Sequence, residues 1–233
     1  MTIMLEELKK QVCEANLRLL AEGLVVQTFG NVSGIDRSSG NIVIKPSGVS
    51  YDDMKPEHMV VVSLRTGDVV EGDLRPSSDT PSHIELYRAF NGIGGVVHTH
   101  SLYATAWAQG RREILVLGTT HADYFHGPVP VTRALTAEEI QHDYEANTGK
   151  VMVERFASLD PLRMQAVLVA GHGPFVWGPS PDKAVENAVA LEYIARLASE
   201  TLRIEPYPKP ISGALLDKHF LRKHGPDAYY GQK

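Results

Sequence analysis

Gly94-Gly95-Val96-Val97-His98-Thr99-His100-Ser101 is the stretch on which the interpretation of both fold and site depends. The β-branched pair after the two glycines is typical of a strand. Alternate side chains of a strand lie on one face, so His98 and His100 are predicted to lie together, roughly 7 Å apart at Cα. Histidine pairs also end strands as ordinary polar residues, but two imidazoles at this spacing can bind one ion. We therefore predict that this strand end supplies half of a divalent-metal site.

Hydrophobic patterns on both sides of this stretch predict an α/β fold. Further strands are predicted at residues 24–29, 41–44, 59–64, 69–72, 114–117 and 166–170, the last of them continued by 176–178. Helices are predicted from the N-terminus to about residue 23, at 80–90, at 101–109, after a capping box at Thr136, at 181–200 and at 213–224. Strands and helices do not alternate strictly, and no linker divides the chain. These patterns favour a single domain over residues 1–233, with a central, mostly antiparallel sheet flanked by helices.

The composition argues against several classes of protein. The chain has 23 basic and 28 acidic residues, a formal charge of −5, and no basic tract, so no nucleic-acid partner is expected. The single cysteine, Cys13, cannot form an internal disulfide, and its apolar neighbours predict a packing role. The N-terminus lacks the apolar core of a signal peptide, and no run approaches the roughly 18 apolar residues of a membrane helix. A soluble cytoplasmic protein without a membrane partner is predicted.

Two further residues are candidates to complete the metal site. His172 follows an apolar strand between Gly171 and Gly173, where it is either a ligand or simply a histidine in a tight turn. A third imidazole would give the three-histidine arrangement of a catalytic site with one open position. Asp79 precedes a helix that Thr80 is predicted to cap. Asp79 is predicted either to cap that helix or to supply an oxygen ligand.

Three small polar loops together predict an anion site. They contain Gly30-Asn31, Lys45-Pro46-Ser47-Gly48 and Ser77-Ser78. Each loop by itself is typical of an ordinary turn. Together they supply a lysine charge, several hydroxyl groups and the N-terminus of a following helix. The chain contains neither a P-loop nor a Gly-x-Gly-x-x-Gly fingerprint, so a phosphate group is predicted here rather than a nucleotide.

Surface positions are predicted for other histidines, and a docking role for the C-terminal tyrosines. The histidines in polar or helical contexts are His58, His83, His126, His142 and His224. Tyr229 and Tyr230 follow a capped helix near the end of the chain. They are predicted either to form an exposed tail or to dock on another surface.

Six motifs, in this order, resemble those of the class II aldolase/epimerase family: Gly30-Asn31-Val32-Ser33, Ile44-Lys45-Pro46-Ser47-Gly48, Pro76-Ser77-Ser78-Asp79-Thr80-Pro81, His98-Thr99-His100-Ser101, Thr119-Thr120-His121-Ala122-Asp123-Tyr124 and His172-Gly173-Pro174-Phe175. The resemblance extends over nearly the whole chain, and the ordered set is far more specific than any one motif. It implies a class II aldolase-like three-layer α/β/α domain and a metal-dependent enzyme that acts on a phosphorylated sugar.

The resemblance also implies roles for individual residues. The metal-ligand positions carry Asp79, His98, His100 and His172, and the phosphate-binding positions carry Asn31, Lys45, Ser47, Gly48, Ser77 and Ser78. The acid/base positions carry Asp123 and Tyr230, which in the family come from the neighbouring subunit, and Thr119, Glu145 and His219 match residues near that site. Zinc suits three imidazoles and a carboxylate, and manganese or cobalt can also serve. A homotetramer with four-fold symmetry and active sites at its subunit interfaces is implied.

Within the family, Asp79 and the stretch 119–123 favour an epimerase, because related sugar-phosphate aldolases carry a glutamate base at the position of Asp79. The implied reaction interconverts L-ribulose 5-phosphate and D-xylulose 5-phosphate by breaking and re-forming the C3–C4 bond. The pathway would be arabinose catabolism or another route through the same phosphate. Two alternatives remain: an aldolase on the same fold, and a non-catalytic protein whose histidines hold a structural metal. The second is disfavoured because structural zinc sites are usually rich in cysteine.

Overall fold

Seven strands form one antiparallel sheet in the computed structural model, which describes residues 2–230, with side chains from residue 5 onwards. They are β1 (Asn31–Asp36), β2 (Asn41–Ile44), β3 (Val60–Ser63), β4 (Val69–Glu71), β5 (Gly95–His98), β6 (Ala166–Leu168) and β7 (Pro174–Gly178). Their order across the sheet is β4-β3-β2-β1-β5-β7-β6, and each neighbouring pair is antiparallel. The predicted α/β class with a mostly antiparallel central sheet is confirmed.

Eight helices accompany the sheet in the described residues. They are α1 (Thr2–Ala21), α2 (Thr80–Ala89), α3 (Leu102–Gln109), α4 (Thr119–Ala122), α5 (Ala137–Gln141), α6 (Tyr144–Arg155), α7 (Pro181–Ile204) and α8 (Gly213–His224). Two short 3-10 turns, Tyr51–Asp53 and Pro56–His58, connect β2 to β3. None of the helices between residues 2 and 230 has the length and apolar character needed to cross a membrane.

The sheet lies between two layers of helices, as two adjacent residues of β1 show. A Cβ atom on Gly34 would lie 2.8 Å from Leu8 of α1 and 2.9 Å from Pro181 of α7. Ser33 points to the opposite face, because side chains alternate along a strand. There its hydroxyl lies 2.7 Å from Nδ1 of His83 on α2. Helices α1 and α7 therefore cover one face of the sheet, and α2 covers the other.

The connection before β1 differs from the prediction of a strand at residues 24–29. Gln27 has a φ of 55° and Gly30 a φ of 76°, both in the left-handed region that a strand does not use. The backbone is also crowded here, since a Cβ on Gly30 would lie 3.0 Å from the carbonyl oxygen of His98. The prediction is wrong for this segment, and the first strand begins only at Asn31.

Two other predicted strands are also different in the structure. Within residues 114–117, Ile114 forms an isolated bridge with Val129 and no strand is present. The segments 166–170 and 176–178 do not continue one strand but belong to the antiparallel hairpin of β6 and β7. His172 lies in the turn of this hairpin, directly after Gly171, which has a φ of 76°.

Several local signals are confirmed. Helix α8 and strand β2 have the predicted bounds. Thr136 and Glu139 form the predicted capping box of α5, with their two hydrogen bonds at 3.2 and 2.8 Å. At α2, however, Asp79 and not Thr80 occupies the N-cap position, and the Asp79 side chain makes no capping hydrogen bond. The carboxylate of Asp79 therefore does not cap the helix.

Candidate metal centre and phosphate pocket

Three histidines converge at one edge of the sheet. His98 ends β5, His100 lies just beyond the strand, and His172 lies in the β6–β7 turn. One ring nitrogen of each lies within 4.8 Å of the others, and the Nε2 atoms of His98 and His100 are 3.1 Å apart. The predicted strand face does not explain this convergence, because β5 ends before His100. It arises because His98 pairs with Phe175 of β7, which brings the His172 turn alongside.

The surroundings of His98 leave its Nε2 atom available to a metal ion. Its Nδ1 atom lies 2.9 Å from the carbonyl oxygen of Pro174 and donates to it, because a carbonyl oxygen can only accept. Phe175 stacks on the ring with its centroid 4.1 Å away. Burial lowers the pKa of His98 to about 3, so the imidazole is neutral at neutral pH. A neutral imidazole oriented by a backbone acceptor is the form in which histidine binds metal ions.

Asp79 lines the same cavity as the histidines, but it does not belong to their 4.8 Å group. Its Oδ2 atom accepts a hydrogen bond of 2.6 Å from Nδ2 of Asn31. Burial by itself would raise the pKa of the Asp79 carboxyl, but the nearby His98 and His83 imidazoles and the Asn31 amide lower it. A carboxylate beside three imidazoles is a donor set that suits a divalent ion such as zinc.

A cavity of about 380 Å³ connects the histidines to the polar loops. All of the predicted metal and phosphate residues line it: Asp79, His98, His100, His172, Asn31, Lys45, Ser47, Gly48, Ser77 and Ser78. Its size falls in the range typical of small-molecule sites. The structure thus brings together residues from separate parts of the chain at a single concave surface.

Backbone hydrogen bonds hold the loop after β2 against the loop before α2. The Ser47 N–H donates to the Arg75 oxygen at 2.9 Å, and the Ser77 N–H donates to the Lys45 oxygen at 3.0 Å. The Lys45 side chain is buried between them, and its ammonium group donates to the backbone oxygen of Thr28 at 3.2 Å. Burial lowers the pKa of Lys45, and the charge of Asp79 opposes this. A buried ammonium beside serine hydroxyls favours a bound anion.

The predicted acid/base residues do not line this cavity in their own chain. Asp123, directly after α4, instead contacts α8, with its Oδ1 atom 3.0 Å from Nδ1 of His219. The Arg222 guanidinium donates to the same carboxylate at 2.9 Å, and it lies 4.6 Å from the ring centre of Tyr230. The Lys223 ammonium lies 4.7 Å from that ring. We call these five residues the α8 cluster.

Asp123 is held as an anion within the α8 cluster. Burial by itself would raise the pKa of its carboxyl, but hydrogen bonds from Arg222 and His219 and the charge of Lys223 lower it. The Tyr230 ring, by contrast, is 58% exposed and lies at the surface. The α8 cluster therefore combines an ionised carboxylate with an exposed aromatic ring.

The three residues predicted near the site are divided between these two places. Thr119 begins α4, and its carbonyl oxygen accepts the Asp123 N–H at 2.9 Å. His219 belongs to the α8 cluster. Glu145 lines the metal cavity, and its backbone oxygen accepts the Ser82 hydroxyl at 2.5 Å. The metal cavity is lined by Glu145 but not by Thr119 or His219 of the same chain.

Sequence reasoning missed several residues in these two places. The Tyr144 hydroxyl lies 3.5 Å from Nδ1 of His172, and the Phe29 ring centre lies 6.2 Å from that of His100. The signal available for Tyr144 was its position next to Glu145. Arg222 pairs with Asp123 across 99 residues of sequence, and no local pattern reveals such a pair.

His83 was predicted at the surface, and this prediction is wrong. Its side chain is fully buried on α2, where it contacts Ser33 of β1. A polar residue in an amphipathic helix is ordinarily placed on the exposed face. Here the buried hydroxyl of Ser33 supplies a partner, which only the folded chain reveals.

Comparisons with known proteins agree with the fold. A sequence profile of the class II aldolase and adducin N-terminal domain matches residues 10–199. An L-fuculose 1-phosphate aldolase is 25% identical, with 91% of this chain and 94% of that chain covered and a TM-score of 0.77. L-fuculose-1-phosphate aldolase from Thermus thermophilus is 25% identical, with 89% and 100% covered and a TM-score of 0.66. YgbL from Klebsiella pneumoniae, for which an aldolase, epimerase or decarboxylase activity is suggested, is 26% identical, with 92% and 98% covered and a TM-score of 0.71.

The fold, its structural neighbours and the histidine cluster indicate an enzyme of the aldolase or epimerase type. The chain belongs to the class II aldolase and adducin N-terminal domain family. Class II aldolases typically depend on a divalent metal ion, and His98, His100 and His172 are the cluster here that suits one.

Proposed function

We propose that this chain is an L-ribulose-5-phosphate 4-epimerase, which interconverts L-ribulose 5-phosphate and D-xylulose 5-phosphate with a divalent metal ion. The observation that carries the proposal is the single cavity in which three histidines and Asp79 lie beside Lys45 and two serine-containing loops. A ketopentose phosphate has a carbonyl near one end and a phosphate at the other, and these ends match the two halves of the cavity. A cytoplasmic location and a role in arabinose catabolism belong to the same proposal.

Four residues would hold the metal ion: Asp79, His98, His100 and His172. Zinc suits this imidazole-rich set best, and manganese or cobalt would also be accepted. When bound, such an ion acts as a Lewis acid on the carbonyl and hydroxyl oxygens of the ketose. The chain contributes three imidazole nitrogens, one carboxylate, and the Pro174 carbonyl that orients His98.

The phosphate would lie against the paired loops at the other end of the cavity. Lys45 supplies the positive charge, and Ser47, Ser77 and Ser78 supply hydroxyl groups just before the N-terminus of α2. Asn31 connects the two ends, because its Nδ2 atom lies 2.6 Å from Asp79 and 3.1 Å from the Ser77 hydroxyl. A phosphate held in this way keeps its fragment of the substrate in the cavity while that fragment turns.

Inversion at C4 requires a route other than direct removal of the C4 hydrogen, because this hydrogen is not next to the carbonyl and is not acidic. In the proposed route a base takes the proton of the C4 hydroxyl. The C3–C4 bond breaks, and its electrons pass to the C2 carbonyl. The fragments are the enediolate of dihydroxyacetone and glycolaldehyde phosphate. The aldehyde then turns its other face to the enediolate, the bond re-forms, and a general acid returns the proton.

Asp123 and Tyr230 are the proposed acid/base pair, one for each face of the aldehyde. The proposal places them in the cavity of a neighbouring subunit of a four-fold tetramer, since they do not line the cavity of their own chain. An ionised Asp123 can accept a hydroxyl proton, and the Tyr230 phenol can donate one. Thr119 and His219 contact Asp123 and would enter the neighbouring cavity together with it. Glu145 belongs to the lining of the metal cavity itself.

Asp79 favours an epimerase over an aldolase. In the related sugar-phosphate aldolases that the chain resembles, a glutamate base occupies the position of Asp79. Asp79 is one methylene shorter, accepts the Asn31 hydrogen bond and has a lowered pKa. A carboxylate in this state is a weaker proton acceptor and a better ligand than a free glutamate.

A sugar-phosphate aldolase is the second candidate, and the 25% identity to two L-fuculose 1-phosphate aldolases supports it. Such an enzyme would use the same cavity but would release both fragments. The two candidates therefore differ in their products and not in the metal they need.

A substrate panel with metal analysis tests the proposal. The zinc-loaded protein is incubated separately with L-ribulose 5-phosphate and L-fuculose 1-phosphate, and products are followed by NMR. The proposal expects D-xylulose 5-phosphate from the first substrate, without accumulation of dihydroxyacetone. Cleavage of either substrate into stable fragments would favour the aldolase, and no reaction with either would contradict both candidates. His100→Asn should abolish the reaction, whereas His142→Asn, at an exposed position, should not.

Chelation separates a catalytic metal from a structural one. We expect the chelated protein to lose activity, to keep its circular dichroism spectrum, and to recover activity with zinc, manganese or cobalt. Unfolding on chelation, with no reaction from the panel, would instead support the non-catalytic alternative.

A further inference from the structure

His83 is a buried histidine that the proposed reaction does not use. Its side chain on α2 is fully buried, as are those of Ser33 and Tyr87. Nδ1 of His83 lies 2.7 Å from the Ser33 hydroxyl, which lies 2.9 Å from the Tyr87 hydroxyl. The other ring nitrogen, Nε2, is buried and has no hydrogen-bond partner among the described residues. Buried polar atoms in native proteins are rarely left unpaired, so this nitrogen requires a partner.

The directions of these hydrogen bonds assign Nε2 as a donor. The Ser33 hydroxyl can donate only one hydrogen bond, and its two partners are Nδ1 of His83 and the Tyr87 hydroxyl. If Tyr87 donates to Ser33 and Ser33 donates to Nδ1, the ring hydrogen of His83 lies on Nε2. The reverse order would leave both the Tyr87 hydrogen and the Nε2 lone pair unpaired. When Tyr87 donates to Ser33 and Ser33 donates to His83, the Nε2–H of His83 is the one group of these three side chains that still needs an acceptor.

Asp79 is the charged group beside His83. The two residues are four apart at the start of α2, so their side chains share one face of the helix. The backbone N–H of His83 also donates a hydrogen bond to the backbone oxygen of Asp79 at 3.1 Å. The charge of Asp79 opposes the lowering of the His83 pKa by burial, and His83 in turn helps to lower that of Asp79. Within the described side chains, Asn31 is the one residue seen to donate to the Asp79 carboxylate.

The packing around His83 reaches the metal centre by a second path. The Phe175 ring lies edge-on to His83, with 5.9 Å between the ring centres, and stacks on His98 at 4.1 Å. The Phe175 ring thus contacts both the His83 ring and the ring of His98, one of the residues that would bind the ion. Its orientation is fixed by Ser33 on one side and by Phe175 on the other.

We infer that His83 is a positioning residue of the metal centre, whose Nε2–H holds the Asp79 carboxylate from the protein side across one bridging water. Asn31 holds Oδ2 of the same carboxylate, and the two donors together fix its orientation toward the ion. Groups that orient metal ligands in this way contribute strongly to metal affinity. The inference rests on the proposed ligand role of Asp79.

His83→Asn and His83→Gln test the inference, because the two amides replace different ring nitrogens. The asparagine amide falls near Nδ1 and can keep the contact with Ser33, whereas the glutamine amide falls near Nε2 and can keep the donor to Asp79. Zinc affinity is measured without substrate, by competition with a chromophoric chelator. We expect the zinc Kd to rise about 10- to 100-fold in His83→Asn and by less than about threefold in His83→Gln.

A purely structural role would give a different pattern. Both variants lose the packed imidazole, so the urea midpoints of the metal-free proteins should fall by similar amounts. Equal weakening of zinc binding in both variants, or unchanged zinc binding in His83→Asn, overturns the inference. If His83→Asn does not fold, Tyr87→Phe removes the hydroxyl that sets the direction of the Ser33 bond. It should weaken zinc binding several-fold, and an unchanged Kd would overturn the inference.

Asp79→Ala separates failure of this inference from failure of the proposed site. If zinc binds Asp79→Ala as tightly as it binds the native protein, the ligand role of Asp79 is wrong and the inference falls with it. If Asp79→Ala weakens zinc binding while His83→Asn does not, the metal site stands and the inference alone is overturned.

Discussion

The Arg222 guanidinium holds the Asp123 carboxylate with three hydrogen bonds, of 2.9, 3.0 and 3.2 Å. The same guanidinium lies 4.6 Å from the ring centre of Tyr230, and the Arg222 backbone oxygen accepts the Tyr230 N–H at 3.1 Å. One residue of α8 thus contacts both members of the proposed acid/base pair. Any change at Arg222 should alter the position of both groups and the charge state of Asp123.

Arg222→Lys is expected to lower kcat by about 10-fold or more while leaving zinc content unchanged, because a lysine cannot make the two-pronged contact with a carboxylate. Burial by itself raises the pKa of Asp123, and Arg222 contributes most to lowering it. Weakening that contact should raise the pKa. The acidic limb of the kcat/KM profile should therefore move to higher pH.

Arg196→Lys is a matched control for this substitution. Arg196 also lies over a tyrosine ring, 5.8 Å from the centre of Tyr103, but it is exposed on α7 away from both site regions. It should keep native kinetics. Native activity with an unshifted pH profile in Arg222→Lys would rule out a role for Arg222 in the reaction.

Lys45→Gln is expected to raise KM for a phosphorylated substrate. The buried ammonium contacts backbone oxygens and would make a charged hydrogen bond to the phosphate. Such bonds contribute about 1.5–3 kcal/mol, which corresponds to a change of about 10- to 150-fold in KM. Zinc affinity should change little, because Lys45 is not among the metal-binding residues. The exposed Lys55→Gln serves as the control, and equal KM values for the two variants would contradict the phosphate role.

The parts of the fold that could be predicted from sequence are those set by local patterns. Strand β2 is a short apolar run between turn residues, and helix α8 is ended by Gly225-Pro226, so the limits of both elements were predictable. Residues 24–29 show the opposite case. The run is apolar and resembles a strand, but its side chains divide between two environments. Val25 is buried in the core, whereas Phe29 is 53% exposed beside His100.

The candidate site could be predicted as a set of residues but not as an arrangement. The motif around His98 and the serine loops carry enough pattern to identify candidate ligands. The histidines converge because β5 pairs with β7, and the spacing of residues in the sequence does not reveal this pairing. The buried position of His83 and the contact between Asp123 and Arg222 depend on tertiary packing, so neither was visible in the sequence.

Stability of the metal-free protein is expected to fall between pH 6.5 and pH 4, in part because of His121. Burial lowers the pKa of this histidine to about 4, and a hydrogen bond to the Gly127 oxygen opposes the change. In the unfolded chain its pKa is about 6.5, so the unfolded state binds more protons over this range. The contribution is fully present above pH 6.5 and is lost as the pH falls toward 4. It amounts to about 3 kcal/mol.

Urea unfolding at several pH values measures this contribution. His121→Gln removes the titrating ring and can keep a donor to Gly127, so its free energy of unfolding should depend less on pH than that of the native chain. Other buried histidines titrate in both proteins and cancel in the comparison. The exposed His142→Gln should match the native slope, and a native slope in His121→Gln would show that His121 is not buried as a neutral ring.

Mixed oligomers test whether each active site is shared between subunits. His98→Asn damages the metal cavity and Tyr230→Phe damages the α8 cluster, so each variant should be nearly inactive. If a site combines the cavity of one chain with the cluster of the next, some sites in a mixed tetramer have both halves intact. Random mixing in equal amounts makes this fraction about a quarter, so co-expression should restore about a quarter of native activity.

The same experiment contains its own control, because His98→Asn and His172→Asn damage the same half of the site. Their mixed oligomers have no intact cavity and should stay inactive. If instead both halves of a site came from one chain, no chain in the first mixture would be intact either, and activity would not rise above that of the parent variants. Recovery in the first pair and not in the second therefore requires Tyr230 to act in the cavity of a neighbouring chain, which its 58% exposure in a single chain allows.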